Sequence, residues 1–139
     1  MANRSRILVV DDNETVLRVV SAALEKAGYD VATRSEPIGT TVAMMRVQPE
    51  LVLLDVNMPA LEGNVLVESI RKRELLRDVI VLLYSAIPAA ELAQLARACH
   101  ADGFIPKSAS TDAVVDEVTR CLARRRAVRP HALPASAGA

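Results

Sequence analysis

The chain has 139 residues, is 51% hydrophobic and 24% charged, and carries no net charge. That balance suits one packed domain and excludes a disordered chain or a broadly basic nucleic-acid binder. Two tyrosines, one phenylalanine and no tryptophan leave the core to Val, Leu, Ile, Ala and Met, and leave no stacking platform for bases or sugars.

Apolar bursts alternate with helical periods along the chain. Ile7–Val10 is a short branched run, as in a strand buried on both faces. Asn13 caps a helix to Ala27, with Val16, Leu17, Val20, Ala23, Leu24 and Ala27 at helical spacing and Gly28 placed to end it. Tyr29–Thr33 is a weaker strand. Pro37 is expected in the first turn of a helix that finishes before Pro49. Leu51–Leu54 is the strongest strand. Val65–Arg73 reads as a helix with Val65, Leu66 and Ile70 on one face. Val79–Tyr84 is a strand, Ala89–His100 a helix and Gly103–Ile105 a short strand. Ser110 caps a last helix with Val114, Val115, Val118, Cys121 and Leu122 inward. From Arg124 the sequence "RRRAVRPHALPASAGA" loses its period, and residues 125–139 read as a tail or the start of a linker. The tail arginines offer the one local basic field, because residues 1–123 carry 13 basic and 17 acidic side chains, although Arg124, Arg125 and Arg126 read better as a solvated helix end than as a contact for nucleic acid or an acidic partner.

Cys99 and Cys121 have neither CxxC nor metal-ligand spacing, so they read as core thiols of a reducing compartment. "MANRSRILVVDD" holds too short an apolar run for a signal peptide. No run approaches the roughly 18–20 apolar residues of a membrane span. The expectation is a soluble, cytoplasmic protein.

Five strand–helix repeats call for an α/β fold: a parallel sheet, doubly wound, with helices on both faces and right-handed crossovers. In such sheets the ligand lies outside the carboxyl ends of the strands. Asp11 and Asp12 follow the first strand, Asp55 the third, Ser85 the fourth and Lys107 the fifth. Singly, each has an ordinary explanation: Asp11 and Asp12 as helix caps, Asp55 and Ser85 as loop residues, Lys107 as a surface lysine. Jointly they place three carboxylates, a hydroxyl and an ammonium at one sheet edge. Three ionised carboxylates repel one another and need a cation. All-oxygen ligands select a hard ion, Mg²⁺ or Mn²⁺. A divalent ion beside a nucleophilic carboxylate and an ammonium suits phosphoryl transfer.

The motifs "ILVVDDN", "LVLLDVNMPALEG", "VIVLLYSA" and "DGFIPKS" occur in this order. Over roughly residues 4–124 the chain resembles the receiver domain of two-component response regulators, the CheY-like family. The resemblance implies a flavodoxin-like (βα)5 three-layer sandwich with sheet order 2-1-3-4-5. It implies that Asp55 is the phosphoacceptor, taking its phosphoryl group from a sensor histidine kinase or phosphotransfer protein. Asp12 would bind Mg²⁺ directly, Asp11 through water, and the Asn57 carbonyl would be a further ligand. Ser85 and Lys107 would contact the phosphoryl group, and Ser85 and Phe104 would form the switch. The face of the fourth helix, fifth strand and fifth helix would then meet a downstream effector protein or output domain. Such a domain is a signalling protein that catalyses only its own phosphorylation and dephosphorylation, with no direct nucleic-acid or membrane binding.

The chain departs from the family pattern in places. Ser108, where the family usually has proline, comes directly after Lys107, and Pro106 precedes it, so this loop is expected to take its own path. Phe104 replaces the common tyrosine and Ser85 the common threonine. Ile87 is apolar where some relatives orient an attacking water, which predicts slow loss of the phosphoryl group. The shifted proline motivates an alternative, a pseudo-receiver that binds partners without phosphorylation. A metal-dependent phosphatase is disfavoured because Asn57 stands where its acid–base carboxylate is usual.

Overall fold

Parallel pairing begins with β1 (Arg6–Val10), whose branched residues are buried on both faces. The computed structural model describes residues 4–56 and 63–128. After β1 come α1 (Glu14–Lys26), β2 (Asp30–Arg34), α2 (Thr40–Val47), β3 (Leu51–Leu54) and α3 (Gly63–Lys72). A single 3₁₀ turn at Glu74–Leu76 leads to β4 (Ile80–Ser85), α4 (Ala89–Ala98), β5 (Gly103–Pro106) and α5 (Thr111–Val128). The five strands form one parallel sheet in the order β2-β1-β3-β4-β5, the flavodoxin-like arrangement the sequence implies.

Side chains alternate across the sheet and make two aliphatic cores. Ile7, Val9, Leu51, Leu53, Leu82 and Tyr84 pack with α1 and α5. Leu8, Val10, Val52, Leu54, Val81 and Leu83 pack with α2, α3 and α4. Cys121 belongs to the first core and Cys99 to the second, both as free thiols. Burial raises both thiol pKa values, with Glu117 adding to the effect at Cys121.

Several element ends agree with the sequence. The Asn13 side chain accepts from Val16 N at 3.1 Å and caps α1. Gly28 takes φ 103°, and Tyr29 N bonds back to Leu24 O at 3.1 Å, a glycine-assisted helix close. The Ser110 hydroxyl accepts from Ala113 N at 3.1 Å at the start of α5.

Four expectations need correction. Pro37 lies before α2, because its carbonyl accepts from both Thr40 N (3.2 Å) and Thr40 Oγ1 (2.6 Å). That turn, with Gly39 at φ 86°, delays the helix to Thr40. In α3 the inward residues are Val67 and Ile70, with Leu66 partly buried against the same core, whereas Val65 is 52% exposed. Helix α4 stops at Ala98, because His100 takes φ 64° and Ala101 N closes on Ala96 O at 2.9 Å. Helix α5 continues through the three arginines to Val128, so residues 125–128 are helix and not tail. Their guanidinium groups find acceptors: Arg125 bonds the Asp78 carbonyl, and Arg126 bonds Ser5 Oγ and lies 3.4 Å from Glu50. Among the described residues, no helix is long and apolar enough to cross a membrane.

Candidate functional site

The backbone ladder continues past the strands and fixes the site. Asp11 N donates to Arg34 O (3.0 Å), Asp55 N to Val10 O (2.9 Å) and Lys107 N to Ser85 O (2.9 Å). Each reactive residue therefore leaves its strand in register with its neighbour. Because β3 lies between β1 and β4, the order across the edge is Asp11 and Asp12, Asp55, Ser85, Lys107.

Asp11 is fully buried and Asp55 is 2% exposed, while Asp12 is exposed. Oxygens of the three carboxylates lie within 4.8 Å of one another. Asp11 Oδ1 accepts from Asn13 N at 2.9 Å. Lys107 Nζ donates to Asp55 Oδ2 at 3.2 Å and stands 2.7 Å from Asp11 Oδ2. The Asp11 approach is an ion pair too oblique to count as an aligned hydrogen bond. Burial by itself would lower the Lys107 pKa, but the close approach of the Asp11 carboxylate and the charges of Asp55 and Asp11 outweigh it, and the net shift is upward. The lysine is thus held as a cation, and it reaches both carboxylates with Ser108 directly after it. Among the described residues no peptide bond is cis.

Ser85 is fully buried, and its hydroxyl accepts from Ile87 N at 3.3 Å. Phe104 pairs in register with Leu83 and is partly buried against the core under α2, α3 and α4. Asn57, with Met58 and Pro59, lies outside the described residues. The remaining donor set fits a hard divalent cation: three carboxylates converge, and the buried Asp11 Oδ2 has no aligned hydrogen bond.

One neighbour escaped the sequence reading. Lys107 Nζ lies over the Tyr84 ring, 5.7 Å from its centroid. Burial raises the Tyr84 pKa, and the nearby Lys107 charge opposes that shift. A search confined to the ends of strands overlooks a residue still inside one. Its signal was compositional, since Tyr84 is among only three aromatic residues in the chain.

The family model of the response regulator receiver domain matches residues 7–119. The chain belongs to this family. This receiver domain is 34% identical over 82 residues to the DNA-binding dual master transcriptional regulator RpaA of Synechocystis, covering 59% of the chain and 34% of that protein. It is 30% identical over 120 residues to the transcriptional regulatory protein PrrA of Mycobacterium tuberculosis, covering 86% of the chain and 51% of the relative. The chain thus spans about a third to a half of these relatives' length. Among solved structures, chemotaxis response regulator CheY4 of Vibrio cholerae matches with TM-score 0.78 at 24% identity, covering 85% of this chain and 98% of that one. A response regulator structure from Chloroflexus aurantiacus matches with TM-score 0.81 at 22% identity, covering 87% and 99%. At these identities the structures speak for the fold.

Proposed function

We propose that this receiver domain accepts a phosphoryl group on Asp55 from the phosphohistidine of a sensor histidine kinase or phosphotransfer protein. The observation that carries the reading is Lys107 Nζ between buried Asp55 and Asp11, with Asp12 completing the acidic cluster. An Asp55 oxygen attacks phosphorus, an O–P bond forms, and the P–N bond to the donor imidazole breaks. The Lys107 ammonium faces the phosphoryl oxygens and balances their charge. The Ser85 hydroxyl turns from its Ile87 amide to donate to one of them. Asp11, Asp12, Asp55 and the Asn57 carbonyl would hold Mg²⁺, with Mn²⁺ an acceptable substitute. The bound ion would supply charge neutralisation at the transferring group.

Movement of Ser85 opens space toward which Phe104, on the neighbouring strand, turns inward. The face of α4, β5 and α5 then shifts population between two states and meets an effector protein or output domain. The chemistry is confined to the domain's own phosphorylation and dephosphorylation in the cytoplasm.

Intact-protein mass spectrometry after incubation with Mg²⁺ and acetyl phosphate tests this. The wild type is expected to gain one phosphoryl group and Asp55→Asn none. Retention of the label by the variant would overturn the assignment. Absence of label from both would favour the pseudo-receiver reading, in which the domain binds partners without phosphorylation.

A further inference from the structure

Strand β4 is aliphatic from Ile80 to Leu83 and then places Tyr84 beside Ser85. The Tyr84 side chain enters the core under α1 and α5, and the residue is 6% exposed. What an aliphatic residue lacks is a ring face, and that face carries the Lys107 ammonium at 5.7 Å from the centroid, within the roughly 6 Å reach of a cation–π contact.

Lysine is a point charge on a flexible stem. Its backbone is fixed by the bond from Lys107 N to Ser85 O, but that bond leaves the side-chain torsions open. The carboxylates of Asp11 and Asp55 attract the ammonium from one side. During phosphoryl transfer the ammonium must serve the incoming oxygens, so its hold on the carboxylates weakens when precision matters most. The ring is a partner that the reaction does not consume.

We propose that Tyr84 is a positioning residue, its ring face holding the Lys107 ammonium at the height of Asp55 so that the cation is in place before the phosphoryl group arrives. This rests on Asp55 being the phosphoacceptor. The ring acts and the hydroxyl does not, so Tyr84→Phe keeps the function and Tyr84→Leu loses it.

Phosphorylation by acetyl phosphate with Mg²⁺ is followed by intact mass for the wild type and both variants. Tyr84→Leu is expected to lower the maximal rate about three- to thirtyfold, the range of one cation–π contact. Its KM for acetyl phosphate is expected to stay within about twofold, because the contact acts on transition-state charge. Tyr84→Phe is expected to match the wild type within about twofold. Equal rates in Tyr84→Leu and the wild type would overturn the proposal, as would equal losses in both variants. A second measurement needs no phosphorylation and no variant. The ε-methylene protons of Lys107 in the wild type should be shifted upfield by the ring current, and positions ordinary for solvated lysine would overturn the proposal. Failure of the phosphoacceptor reading shows separately, as a wild type that takes no phosphoryl group, and the lysine resonances still decide whether the ring holds the ammonium.

Discussion

Replacing Asp55 by asparagine removes one charge from a crowded edge, and its effect on stability can be worked from the distances. Asp55 has Asp11 and Asp12 carboxylate oxygens within 4.8 Å, and at an effective dielectric near 20 each unit-charge pair repels by about 3.5 kcal/mol. It has Lys107 Nζ at 3.2 Å, an attraction of about 5 kcal/mol on the same footing. Among these three charge pairs the two repulsions exceed the attraction by about 2 kcal/mol, and Lys107 keeps Asp11 as a partner in the variant. Water around exposed Asp12 screens part of this. The metal-free variant is therefore expected to be more stable by about 1–2 kcal/mol, a rise in urea midpoint of roughly 0.5–1 M. Circular dichroism during urea unfolding, with a chelator present, measures it. Excess Mg²⁺ should stabilise the wild type more than the variant and narrow or reverse the gap. An Asp55→Asn protein of equal or lower stability in chelator would refute this balance of charges.

Alkaline pH should destabilise the fold. Lys107, Tyr84, Cys99 and Cys121 all have pKa values raised by the folded state, so the native protein binds more protons than the unfolded chain once pH passes their ordinary values. Their contribution is complete below those values and declines as pH rises through the raised ones. The urea midpoint should fall progressively above the ordinary thiol value of 9.0, and a flat midpoint across the alkaline range would contradict the shifts. Both thiols should react with an aromatic disulfide reagent only as fast as the protein opens, because both are buried; prompt labelling of the native protein would refute this. Arg71→Ala should lower the melting temperature by roughly 4–10 °C. Arg71 donates to the carbonyls of Val79 (2.7 Å) and His100 (3.2 Å) and pairs with Asp102 at 2.8 Å, and Asp102 in turn accepts from Val81 N at 2.8 Å. A calorimetric scan reads the change, and an unchanged midpoint would show that water replaces the network.

The secondary structure was legible where one local cause dominated. Four consecutive apolar residues at Leu51–Leu54 specify a strand buried on both faces, and Asn13 with Gly28 marks the two ends of α1 through capping chemistry. Reading failed where a local signal met a competing partner. Pro37 looked like a helix start until its carbonyl took the Thr40 bonds, and the apolar period of α5 ended before its arginines did. Those arginines remain helical because acceptors at the opposite end of the sheet, Asp78, Ser5 and Glu50, lie within reach.

The site divides in the same way. Sequence alone determined which residues stand at the strand ends, because alternation of strands and helices fixes which end of a parallel sheet each loop occupies. Tertiary structure decided what they do to one another. Strand order brings Asp11 and Asp55 side by side, and pairing of β5 with β4 carries Lys107 back over both carboxylates and over Tyr84. Those contacts join residues far apart in the chain, and their distances depend on register and side-chain packing, which no local pattern encodes.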